Sequence, residues 1–128
     1  KISARNRERF IEVIKKNNKR LTKKIAVNVI NARFVKPLDR ETLRLETSKV
    51  ELLVTCEEGA LNGGFGSAVA EFLADENILI PLIRFGIADR FIEHGKRDEL
   101  LEICGLTSKN IYRKILEYFY KGKVNLKK

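Results

Sequence analysis

What the 128-residue chain lacks narrows its chemistry first. It holds one histidine, His94, so a multi-histidine metal site cannot be assembled from this chain alone. Its two cysteines, Cys56 and Cys104, lie far apart and show neither metal nor redox spacing, which predicts buried, reduced thiols and a reducing compartment. No apolar run approaches the length of about 18 residues that a membrane span needs. The opening KISARNRERF is charged and no apolar stretch follows it, so nothing there argues for secretion. The length suits one domain with a real core and is too short for a large enzyme with its own cofactor domain.

What is abundant is positive charge, +9 in all, and it is unevenly placed. Residues 1–24 hold ten Lys/Arg against Glu8 and Glu12, and the tail KGKVNLKK adds four lysines, so the stretch from Ile25 to Tyr120 is −3. This division predicts a basic entry segment over 1–24, a folded body over 25–120 and a basic tail over 121–128. An excess confined to chain ends is expected of solvated tails, and a nucleic-acid-binding module is kept only as an alternative.

Within the entry segment, RNRERFIEVIKKNNKRL places Phe10, Ile11, Val13 and Ile14 on one face of an amphipathic helix. Ile25–Ile30 and Lys49–Cys56 are short β-branched runs expected as buried strands, and Asp39 is placed to cap a short helix, RETLRLE. A helix with Ala68, Val69, Phe72 and Leu73 inward follows a glycine turn. The apolar run ILIPLIRF comes next, with Pro81 marking a sheet edge or a break. A loop, GIADRFIEHGKRD, leads to the helix ELLEIC, with Gly105 as its stop. Thr107 then caps a last helix, buried through Ile111, Tyr112, Ile115, Leu116 and Phe119 and ending at Gly122. Alternating strands and helices predict an α/β sandwich with a mainly parallel sheet.

The most provocative stretch is CEEGALNGGFGSAVAEFL, Cys56 to Leu73, a strand end, a glycine turn and a helix start. Such turns hold phosphates, because free N–H groups and the positive end of the helix dipole converge there. The spacing, however, departs from both nucleotide motifs. Gly64-Phe65-Gly66 gives Gly-x-Gly, but Val69 stands where a dinucleotide fingerprint has its third glycine, and Ser67 follows where a P-loop has lysine. Glu57 and Glu58 would repel a phosphate, and as strand neighbours they point to opposite faces, so they cannot share one substrate as an acid–base pair. Asp89, Arg90 and Glu93 are as readily loop ion pairs or caps as functional groups, and His94 as readily a loop residue satisfied by backbone.

Four segments, NARFVKPLD, EEGALNGGFGSAV, FGIADRFIEHG and ELLEICGLTSKNI, together resemble the C-terminal domain of the 1-deoxy-D-xylulose-5-phosphate synthase family, thiamine-diphosphate enzymes of the transketolase superfamily. The glycine-rich segment alone would also suit a transketolase or a 2-oxo-acid dehydrogenase β subunit, which remain the alternative. The resemblance departs in two places: Ala88 stands where proline is common, and basic residues replace the family's opening strand. It implies a transketolase C-terminal-like three-layer sandwich that packs on two upstream catalytic domains and on the other subunit of a homodimer. Those upstream domains hold thiamine diphosphate and Mg²⁺ and join pyruvate to glyceraldehyde 3-phosphate with loss of CO₂, for isoprenoid and thiamine precursors. A bacterial cytoplasm or a plastid-type organelle is the implied setting.

On this resemblance the segment holds no catalytic, cofactor-binding or metal-binding residue and is inactive alone, since it lacks the family's diphosphate motif and activating glutamate. The glycine turn is architectural, and Glu58, Gly63, Gly64, Gly66, Asp89, Arg90 and His94 are the candidate interdomain contacts.

Overall fold

A computed structural model of the chain describes residues 25–89 and 95–124, together with Glu12, which is helical. The rest of the expected first helix lies outside the described residues. Six elements follow in chain order: α1 (Arg40–Thr47), β1 (Leu53–Ala60), α2 (Phe65–Asp75), β2 (Leu82–Ile87), α3 (Arg97–Ile103) and α4 (Ser108–Val124).

Strands β1 and β2 run parallel, with Leu53 opposite Leu82, Val54 opposite Ile83, Thr55 opposite Arg84 and Cys56 opposite Phe85. Their connection passes through α2, a β–α–β unit, because parallel neighbours cannot be joined by a hairpin. Pro81 ends the approach to β2 rather than interrupting it. The strand starts at the next residue, and the Pro81 carbonyl, which proline retains, accepts from the Leu53 amide at 3.0 Å. Helix α2 buries Val69, Phe72 and Leu73, and Leu38, Leu43, Leu53, Phe65, Ile78, Ile80 and Leu82 pack around them. This is the expected inward face, except that Ala68 is half-buried.

Asp39 caps α1 as its position predicts, accepting from the Thr42 amide at 3.0 Å and the Thr42 hydroxyl at 2.7 Å. Across the core edge, α1 is tied to the end of α2 by Glu76, which accepts from Arg40 at 2.8 Å and from two Arg44 nitrogens at 2.8 and 2.7 Å. Both guanidinium groups also lie over the Phe72 ring, at 4.9 and 5.8 Å from its centroid. Gly105, at φ 70°, follows the end of α3, and Thr107 Oγ1 accepts from the Asn110 amide at 3.3 Å at the start of α4. Ile111, Tyr112 and Ile115 are buried on α4, while Leu116 and Phe119 are half-buried. The helix continues through Gly122 to Val124. Glycine weakens a helix interior without forbidding it.

Two expectations shift. The strand expected over Lys49–Cys56 begins at Leu53 and runs on through Glu57, Glu58 and Gly59, so the carboxylates belong to the strand and not to the mouth of the loop. Residues 25–34 form no strand: the described sheet contains only β1 and β2. β-branched residues favour an extended chain, but a strand also needs a neighbour to accept its backbone hydrogen bonds. Instead, Asn28 Nδ2 donates to Glu46 Oε2 on α1 at 2.8 Å. Among the described residues, no helix is long and apolar enough to cross a membrane.

Candidate functional site

The glycine turn joins the carboxyl end of β1 to the first turn of α2, and the structure shows what fills its anion position. Glu57 folds its own carboxylate into it. Oε2 accepts from the Phe65 amide at 2.7 Å and Oε1 from the Gly66 amide at 2.8 Å, so one side chain satisfies the first two free N–H groups of the helix. A negative group there also complements the helix dipole. The residue at the usual capping position, Gly64, has no side chain to do this, and Glu57 reaches the helix from the strand.

Close approach explains two glycines. A Cβ at position 64 would lie 2.2 Å from the Ala60 carbonyl oxygen and 2.2 Å from Glu57 Oε2, and a Cβ at position 66 would lie 2.7 Å from Thr55 Oγ1. Either would push the carboxylate or the strand away from the helix start. Gly63 sits at φ 73° with open space around it.

A second network holds the rim of the turn. Ser67 Oγ accepts from the Gly63 amide at 3.0 Å and donates to the Leu61 carbonyl at 3.0 Å. Arg84, from β2, donates through Nη1 to Ser67 Oγ at 3.0 Å and to the Leu61 carbonyl at 3.3 Å. Arg84 forms no ion pair among the described residues, so its charge is spent on neutral oxygens and on tying the turn to the second strand. Beneath the turn, Thr55 is buried at 4% exposure, and its hydroxyl has no partner among the described residues.

Glu58 points the other way, as alternation along a strand requires, and forms a forked ion pair with Arg97 at the start of α3. It therefore ties β1 to α3 within the domain. Asp89 is exposed after β2. Arg90 and His94 lie outside the described residues, so of the seven candidate contacts the structure locates five. It gathers Gly63, Gly64 and Gly66 in one turn and sends Glu58 to the opposite face. Glu57, Ser67 and Arg84 were not among the candidates, although an arginine inside the apolar run LIRF was a visible signal.

Neither cysteine is in a disulfide, in agreement with the reduced thiols expected, and both are half-buried. Burial pushes the Cys56 thiol up to about 12, so it is protonated and a poor nucleophile at neutral pH. Among the described residues no group of three or more His, Cys, Asp or Glu side chains gathers as a metal site. The turn itself does not fit a phosphate. A second anion about 4 Å from the Glu57 carboxylate would be opposed by about 4 kcal/mol at an effective dielectric of 20, with its two best donors already taken.

Against known proteins, the family model described as the transketolase C-terminal domain matches residues 6–111. The chain is 48% identical over 99 residues to 1-deoxy-D-xylulose-5-phosphate synthase of Rippkaea orientalis, a match covering 77% of this chain and 16% of that protein. It is 49% identical over 89 residues to the synthase of Ectopseudomonas mendocina, covering 70% and 14% respectively. A solved structure described as a split gene transketolase, an inactive beta4 tetramer, superposes with a TM-score of 0.70 at 34% identity and covers 86% of this chain and 34% of that one. The chain thus spans about one-sixth of the length of the synthases it matches.

Proposed function

The chain belongs to the transketolase C-terminal domain family, and from that premise we propose that it is the C-terminal, non-catalytic domain of a 1-deoxy-D-xylulose-5-phosphate synthase. The whole enzyme, on this reading, condenses pyruvate with glyceraldehyde 3-phosphate with loss of CO₂. Thiamine diphosphate and Mg²⁺ are held by the upstream domains, where the cofactor supplies the carbanion chemistry.

The observation that carries the non-catalytic role is the Glu57 carboxylate on the Phe65 and Gly66 amides. At the one place where the backbone resembles a cofactor cradle, the chain supplies the anion itself. The turn then serves to fix α2 against the sheet and to present the loops that follow β1 and β2. We assign the surface around Gly63, Gly64, Gly66 and Asp89, with Arg90 and His94 beyond it, to contact with the rest of the enzyme, and Glu58 to holding α3 in position beside it. Loops at the carboxyl ends of parallel strands are where α/β folds present their functional surfaces. The enzyme works as a homodimer in a bacterial cytoplasm or a plastid-type organelle.

Two measurements test this. The reading frame upstream of Lys1 is expected to encode a cofactor domain and a pyrimidine-binding domain, and an unrelated domain there would refute the assignment. Calorimetry of the isolated chain with thiamine diphosphate and Mg²⁺ is expected to show no binding, and micromolar affinity would overturn the non-catalytic role.

A further inference from the structure

Scattered exposed apolar residues are normal on any protein, but a cluster without charge is not. Val27, Ile30, Phe34 and Val35 are 39%, 49%, 69% and 43% exposed, four large apolar side chains within nine positions. In a chain that is 34% charged, the stretch Ile25–Val35 contains a single charged residue, Arg33. Depletion of charge around large apolar groups is the compositional mark of an interface core. The segment belongs to no strand, yet it is anchored near both ends: by Asn28 on Glu46 of α1 and by the Asp39 cap that starts α1.

We propose that residues 27–35 form the face on which this domain docks against the upstream part of the same polypeptide, meeting an apolar surface that carries a carboxylate opposite Arg33. This rests on the function proposed above and adds a second, apolar surface to the polar loops assigned there. Three observations select that occupant. The synthases matched are about six times longer than this chain, so most of such a polypeptide lies outside it. A covalently tethered neighbour acts at an effective concentration of the order of millimolar, which outcompetes a free second copy of the domain. Arg33 is exposed and has no ion pair among the described residues, which leaves its fork for a carboxylate from outside.

The test is amide hydrogen exchange on the full-length parent protein and on the 128-residue chain. Amides 27–35 are expected to exchange at least about 100-fold more slowly in the full-length protein, because docking removes the local openings available to the isolated domain. In the full-length protein Phe34→Asp should abolish that protection and raise proteolytic release of the domain about tenfold, while Leu79→Asp, at a side chain 100% exposed, should do neither. Equal exchange in the two wild-type proteins overturns the proposal without any variant. Protection already present in the isolated chain, with sedimentation as a dimer, also overturns it in favour of a second copy. The two readings fail separately: an active synthase whose residues 27–35 exchange freely removes the docking face alone, whereas a parent without synthase activity but with these amides protected removes the assigned function and supports the docking face.

Discussion

Replacing Glu57 by alanine removes the one group that satisfies the Phe65 and Gly66 amides, and its cost can be worked from those contacts. A hydrogen bond to a charged partner contributes about 1.5–3 kcal/mol, while loss of a helix cap costs about 0.5–2 kcal/mol. The two bonds share one carboxylate at a half-buried site where water can replace part of what is lost, so they do not add in full. About 2–3 kcal/mol is expected for Glu57→Ala. Glu57→Gln retains one acceptor and turns a donor toward the second N–H, so it should cost nearly as much although its shape is almost the same.

Urea denaturation followed by far-ultraviolet circular dichroism measures this directly, and at about 3–5 °C per kcal/mol for a chain of this size the melting temperature should fall by roughly 6–15 °C. A second arm separates capping from packing. In Glu57→Ala the two vacated amides should accept an anion from solution, so formate should stabilise the variant more than the wild type at matched ionic strength. A loss below about 0.5 kcal/mol, within the range of ordinary surface substitutions, would refute the claim that the turn depends on its internal anion. So would a full loss with no differential response to formate, because the side chain would then be acting through bulk alone.

Three further outcomes follow from the same contacts. Gly64→Ala places a methyl group 2.2 Å from a backbone oxygen that cannot move aside, and should cost about 3 kcal/mol in the same denaturation assay. Arg44 and Arg40 hold the Glu76 carboxyl down to about 2 against an ordinary value of 4.5, so its contribution to stability is complete above pH 4.5 and is lost as pH falls toward 2. The stability difference between wild type and Glu76→Gln should therefore shrink over that window in pH-dependent melting, and a constant difference would contradict the pairing. Because burial pushes the Cys56 thiol up to about 12, its alkylation by iodoacetamide at pH 8 should be far slower than that of a free cysteine of pKa about 8.5, as peptide mass spectrometry can show; labelling at the free rate would place the thiol in solvent.

Local chemistry was legible in the sequence where it is decided within a few residues. Asp39, Gly105 and Thr107 end or start helices because their side chains, or the lack of one, act on amides at most three or four positions away. The inward face of α2 was legible for the same reason, since a helix brings Val69, Phe72 and Leu73 together by its own period. Strand limits were not. β1 starts four residues late because its pairing is set by where β2 can begin, and β2 can begin only after Pro81. Ile25–Ile30 has the composition of a strand, but composition supplies no partner for its backbone.

The glycine turn shows why a motif can be read correctly and assigned wrongly. Its backbone is an anion site by construction, with two amides aimed at one point, and glycines at 64 and 66 let that point come close. Nothing in the turn says whether the anion arrives from solution or from the chain. That is decided by Glu57, eight residues before the first helical amide, at a strand position whose side chain faces α2 while Glu58 faces away toward Arg97. Shifting the register of β1 by one residue would exchange the two glutamates and send the Glu57 carboxylate to the α3 side, without changing any of the glycines. The sequence signal is therefore the pairing of an acidic residue at the strand end with a glycine-led helix, and the ambiguity between a bound phosphate and an internal cap lies in the strand register.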